Sequence, residues 1–204
     1  MRIFKTPSIL RKIFFKRTWG FSLGKNEVYL TFDDGPHPDI TPWVLDYLKA
    51  QNIKACFFCV GENVKRYPEI FQRILDEGHQ FGNHTMYHTE SHKTSFKAYQ
   101  ASIDEATEFI PSNLFRPPYG RLSSYRAHRL SQKYKIILWS WLSYDFDTRI
   151  SIDEILLNAS KNIQSGDILV LHDNYKFAAR QKELLPKLLE LLKQKGFNFG
   201  KILN

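Results

Sequence analysis

Apolar residues come in two rhythms that alternate along this chain. Short runs with strand character occur at residues 28–32, 55–60, 79–83, 114–116, 135–141, 167–172 and 197–202. Between them, apolar positions recur three and four residues apart: Val44, Leu45 and Leu48 within 41–50, and Tyr99, Ile103, Ala106 and Ile110 within 96–110. Further helical stretches are predicted at 69–77, 124–132, 152–163 and 183–193. Local punctuation agrees, with Pro42 in the first turn of one helix and Gly78 ending another. About seven strand–helix units in succession predict an α/β chain with a parallel sheet, arranged as a distorted (β/α)7-type barrel with its helices outside. Working residues in such barrels stand at the C-terminal ends of strands.

A chain of 204 residues is long enough for one well-buried core and short for two domains. No apolar run approaches the roughly 20 residues that span a bilayer. Cys56 and Cys59 lie three positions apart in one predicted strand, so they point to opposite faces and read as small core residues. The net charge of +8 becomes informative once located: residues 1–25 hold seven basic side chains and no acid, whereas residues 26–204 hold 22 basic and 21 acidic ones. A nucleic-acid partner calls for a basic patch on the folded domain, and the domain is near neutral. The boundary predicted is therefore a basic arm, 1–25, ahead of a folded domain, 26–204.

Within the arm, Ile3, Phe4, Ile9, Leu10, Ile13, Phe14 and Phe15 are interleaved with Lys and Arg. Two readings follow: peripheral contact with a membrane surface, or packing under the domain with the basic groups in water. Basic residues interrupt every apolar stretch, so the arm lacks the roughly 7–15-residue apolar core of a cleavable signal. The expected location is the cytoplasm or the inner membrane face.

Candidate chemistry gathers at the predicted strand ends. Asp33 and Asp34 follow an apolar strand and stop at Gly35-Pro36, leaving two mutually repelling carboxylates at a rim where a cation would satisfy one of them. His84 and His88, four apart after Gly82-Asn83, would share one face of a helical turn and could reach one ion; His88 and His92 offer the same spacing, but only the first pair begins at a strand end. Arg116 precedes a stiff Pro117-Pro118-Tyr119-Gly120 turn and could hold a carboxylate in one orientation. Asp145 and Phe146 follow Trp139 and Trp141, and the apolar run 168–171 ends in His172.

In this order the motifs TFDDG (31–35), HTMYH (84–88), RPPYG (116–120), LSYDF (142–146) and VLH (170–172) resemble those of the NodB-homology polysaccharide deacetylases, carbohydrate esterase family 4. The resemblance spans residue 28 to the C terminus. It implies a hydrolase that removes acetyl groups from the amino sugars of a glycan, chitooligosaccharide or peptidoglycan-type substrate. It further implies one divalent ion, usually zinc with cobalt or nickel as alternatives, on Asp34, His84 and His88. Asp33 would be the base oriented by Arg116, and His172 the acid tuned by Asp145. The Tyr119 N–H would face the oxyanion, and Trp141, Phe146 and Val170 would wall the pocket. Two further readings stand beside this one, a deacylase of a lipid-linked sugar and a non-catalytic carbohydrate-binding relative. The family's usual DxxDW has Leu142 at its first Asp and Phe146 at its Trp, which puts substrate identity in question while leaving Asp145 in place.

Overall fold

A computed structural model of the chain describes residues 2–21 and 26–202. Helix α1 (Ser8–Ile13) lies in the arm; strand β1 (Glu27–Asp33) opens the sheet, followed by α2 (Thr41–Ala50), β2 (Cys56–Cys59), α3 (Gly61–Arg66), α4 (Pro68–Asp76) and β3 (Gln80–Asn83). Then come α5 (Phe96–Thr107), β4 (Leu114–Phe115), α6 (Ser124–Leu130), β5 (Lys135–Ile136), β6 (Trp141–Leu142), α7 (Ile152–Asn162), β7 (Ile168–His172), α8 (Ala178–Gln194) and β8 (Asn198–Phe199). The strands are parallel in the order β5-β4-β3-β2-β1-β7-β6, with β8 added beside β1, and the sheet curls into a distorted barrel as predicted. Ser95, Ser123 and Ser151 cap α5, α6 and α7 by accepting a hydrogen bond from the third residue onward, each worth about 1 kcal/mol.

Strand alternation sorts the core into two layers. Tyr29, Cys56, Phe58 and Ile168 pack together inside the barrel with Ile137. Leu30, Phe32, Phe57, Cys59, Leu169 and Leu171 face the helices, against Val44, Leu45, Leu48, Ile155, Leu184 and Leu188. The two cysteines therefore fall in different layers, both buried and unpaired, and burial pushes the Cys56 thiol up to about 12. The same period of two puts Asp33 on the inward face with Tyr29, and His172 on the inward face with Ile168. These polar residues stand where the barrel opens.

The stretch predicted as one strand at 135–141 is two. Its first part pairs with β4 and its second with β7, the two opposite edges of the sheet, so this segment carries the chain across the seam. The arm fills that seam. Leu142 N–H donates to the Phe4 carbonyl (2.9 Å), Thr6 N–H to Ser140 (2.9 Å), Thr18 N–H to Ile136 (2.8 Å) and Leu138 N–H to Thr18 (2.7 Å). Lys5 forms an ion pair with buried Asp167, Arg2 pairs with Asp147 at 2.9 Å, and buried Arg17 donates to the Leu122 carbonyl at 2.6 Å. Lys25 lies outside the described residues. Helix α3 was not anticipated: it is one short helix that ends at Tyr67, where Pro68 opens α4.

Candidate active site

The pairing of β1 with β7 sets Asp33 beside His172, and the pairing with β2 sets it beside Phe58. Just beyond, Asp34 takes a left-handed conformation (φ 82°) that turns its carboxylate away from the strand line. Gly35 is required next: a side chain there would collide with the Asp173 carboxylate, which accepts the Gly35 N–H at 3.0 Å and the Thr41 hydroxyl at 2.6 Å. Burial pushes the Asp173 carboxyl up to about 8, against the hydrogen bond from Thr41. Two asparagines complete the hold on Asp34. Asn63 donates to its carbonyl at 2.7 Å and Asn174 to its Oδ2 at 3.2 Å, which leaves Oδ1 facing the histidines.

His84 and His88 reach Asp34 Oδ1 from 3.8 and 3.3 Å through their Nε2 atoms. They do so from a loop and not from the helical turn that their spacing suggested: Thr85 and His88 are both left-handed (φ 66° and 51°), and the chain after β3 does not form a helix. The loop is held by nonlocal bonds, with Gly61 N–H donating to the Thr85 carbonyl (3.0 Å) and Met86 N–H to Ser102 (2.9 Å). His84 Nδ1–H donates to the Arg116 carbonyl at 2.8 Å, so its Nε2 carries the free lone pair. Burial pushes the His84 imidazole down to about 4, keeping it neutral. Burial alone would raise the Asp34 carboxyl, but a hydrogen bond with His88 and the neighbouring imidazoles hold it well below the usual carboxylate range. His92 pairs with Glu90 instead (3.3 Å), which decides between the two spacings.

The three donor atoms lie within 4.8 Å of one another. Ligands about 2.1 Å from a tetrahedral ion stand about 3.4 Å apart, so the 3.3 and 3.8 Å separations fit one divalent ion with little adjustment. Two neutral-capable imidazoles and one carboxylate are also the donor chemistry such an ion takes.

On one side of this cluster Arg116 is fully buried and spends its fork on four acceptors: Asp33 Oδ1 (2.6 Å), Thr31 Oγ1 (2.7 Å) and the carbonyls of Ile137 and Leu138 (3.2 Å each). Its guanidinium lies 4.0 Å over the Phe58 ring. On the other side, fully buried Asp145 is bidentate to His172, accepting its backbone N–H and its Nδ1–H at 2.7 Å each. The His172 Nε2 is thus the free ring nitrogen. Burial opposes charge on His172, yet Asp145 with Asp34 and Asp33 outweighs it and pushes the imidazole up to about 10.

Asp33, Asp34, His84, His88 and His172 open into a cleft of about 640 Å3, walled on its apolar side by Val170, Leu142, Phe146 and Trp139. Phe146 meets the His172 ring edge-on at 5.2 Å, and Tyr119 meets His88 at 4.8 Å. Trp141 does not reach the cleft. It pairs with outward-facing Leu169, is fully buried, and donates its indole N–H to Asn158. The strand break at 137–140 shifts the alternation, so Trp139 faces inward in its place.

A family model described as Polysaccharide deacetylase matches residues 22–135. The chain belongs to the polysaccharide deacetylase family. The chain is 34% identical over 189 residues to a peptidoglycan-N-acetylglucosamine deacetylase of Bacillus cereus, with 89% of each chain covered. It is also 34% identical to a chitooligosaccharide deacetylase of Bradyrhizobium sp., covering 78% of this chain and 76% of that one. In three dimensions it is similar to the Bc1960 peptidoglycan N-acetylglucosamine deacetylase crystallised with 4-naphthalen-1-yl-N-oxidanyl-benzamide. That match has a TM-score of 0.88 at 32% identity and covers 97% and 95% of the two chains.

Asn63, Asn174 and Trp139 carry parts of this site that the sequence motifs did not single out. Asn174 had one signal, its place two residues after His172 at a strand end; Asn63 had none, because α3 was not anticipated.

Proposed function

We propose that the protein removes N-acetyl groups from N-acetylglucosamine residues of a peptidoglycan-type glycan or chitooligosaccharide, with zinc on Asp34, His84 and His88. The observation that carries this reading is the arrangement around the three donors: an acid–guanidinium pair on one side, an imidazole–carboxylate pair on the other, one cleft between. Bound zinc would polarise the acetamide carbonyl and favour ionisation of a nearby water. Asp33 accepts the proton of the attacking water; Arg116 holds its Oδ1, which leaves Oδ2 for that proton. The Tyr119 N–H donates to the oxygen on which charge develops. His172 gives its Nε2 proton to the departing amine, a poor leaving group until protonated, and Asp145 keeps that proton available. Val170, Leu142 and Trp139 offer an apolar wall for the acetyl methyl.

Acetate release from chitooligosaccharides and from purified peptidoglycan tests the reading. Activity should vanish after chelation and return on adding zinc. Metal-replete protein that binds the glycan without releasing acetate would instead support a non-catalytic relative.

A further inference from the structure

The mechanism uses nothing of the arm's outer surface, yet that surface is unlike the rest of the molecule. Of the exposed isoleucines and leucines among the described residues, Ile3, Ile9, Leu10 and Ile13 all lie in the arm; only Leu157 lies elsewhere. Phe15, just after α1, is 74% exposed, and no residue of α1 is buried. Ile9 and Ile13 stand one helical turn apart and share a face. Hydrogen bonds on both sides of α1, from Phe4 and Thr6 to Thr18, pin it against the barrel seam. Its apolar side chains are thus held outward, and presenting them costs no ordering of a loose chain.

The charge around these residues is of one sign. Residues 1–25 contain no acid. The domain pairs several of the arm's cations with acids, Lys5 and Arg11 with Asp167 and Arg2 with Asp147, and Arg17 is buried against the Leu122 carbonyl. Lys12 and Lys16 have no acidic partner among the described residues, and both are exposed beside Ile13 and Phe15. No acid of the arm offsets them.

We infer that the face formed by Ile9, Leu10, Ile13 and Phe15 with Lys12 and Lys16 docks on an anionic lipid surface. Aliphatic and aromatic side chains enter the acyl boundary while lysines meet the headgroups. A soluble polyanion would need the lysines alone and would leave the apolar group in water, so a bilayer fits this combination better. The inference does not depend on the deacetylase chemistry.

Co-sedimentation of the full chain with vesicles tests it, using phosphatidylcholine with and without phosphatidylglycerol. The protein should partition onto the anionic vesicles at low salt, and Ile9→Asn/Ile13→Asn and Lys12→Gln/Lys16→Gln should each weaken that partition by about tenfold or more. Acetate release from a soluble chitooligosaccharide should be unchanged in both variants. The inference is overturned if the parent protein ignores anionic vesicles, or if the asparagine variant binds them as well as the parent does. Loss of a concentration-dependent dimer in the asparagine variant, without vesicle binding by the parent, would assign the face to a second copy of the chain and also overturn it.

Discussion

Two buried ion pairs flank the cluster of Asp34, His84 and His88, alike in kind and opposite in which partner is sealed. Asp33 and Arg116 meet at 2.6 Å with the guanidinium fully sealed and the carboxylate 5% exposed. Asp145 and His172 meet at 2.7 Å with the carboxylate fully sealed and the imidazole 15% exposed. In each pair, the buried member is fixed by further hydrogen bonds and the other member reaches the cleft. Arginine cannot give up its proton, so on the first side only the acid can exchange one. On the second side the imidazole exchanges it, with the carboxylate as anchor. In the proposed mechanism the same kind of pair would yield a proton acceptor on one wall and a donor on the other, according to which partner is sealed.

The same substitution in each acid separates anchor from working group. Asp33→Asn removes the acceptor itself, and kcat/KM should fall by about 10³-fold with the fold intact, checked by acetate release and thermal melting. Arg116→Met removes an anchor and leaves the buried Asp33 carboxyl without its ion-pair partner. That variant should lose about 3–5 kcal/mol of stability in urea titrations, and much of its activity with it. Asn174→Ala frees one oxygen of Asp34 and touches neither pair; zinc affinity by competition with a chelator should weaken by about tenfold.

The residues that gather around the cleft were legible in the sequence because they stand at strand ends, where strand alternation constrains their direction. Asp33, Arg116, Asp145 and His172 could be named, and the barrel predicted, from runs a few residues long. What the sequence hid depends on distant partners. His84 and His88 converge through left-handed Thr85 and His88, held by Gly61 and Ser102, and not through a helix. The exchange of Trp139 for Trp141 follows from a segment whose two ends pair with opposite sheet edges, a closure no local pattern encodes. Asn63 came from a short helix whose stop is the following Pro68. The arm's packing likewise rests on acceptors at residues 136–142, far along the chain.

The second pair makes the sharpest pH statement. His172 is raised to about 10 from an ordinary imidazole value near 6.5, so the stability tied to its charge is full below that ordinary value and is lost as pH climbs through about 10. In the proposed mechanism a divalent ion beside Asp34 would offset part of the negative charge that holds the proton, which would put the basic limb of kcat/KM below about 10. Removing the charge of Asp145 lowers it further. The most direct measurement is the pH dependence of kcat/KM for metal-replete parent and Asp145→Asn on one chitooligosaccharide. The basic limb should move to lower pH in the variant, by about one unit or more, with residual activity in the acidic range. A limb that stays where it was, or moves to higher pH, would contradict His172 as the proton donor and with it the opposed use of the two pairs.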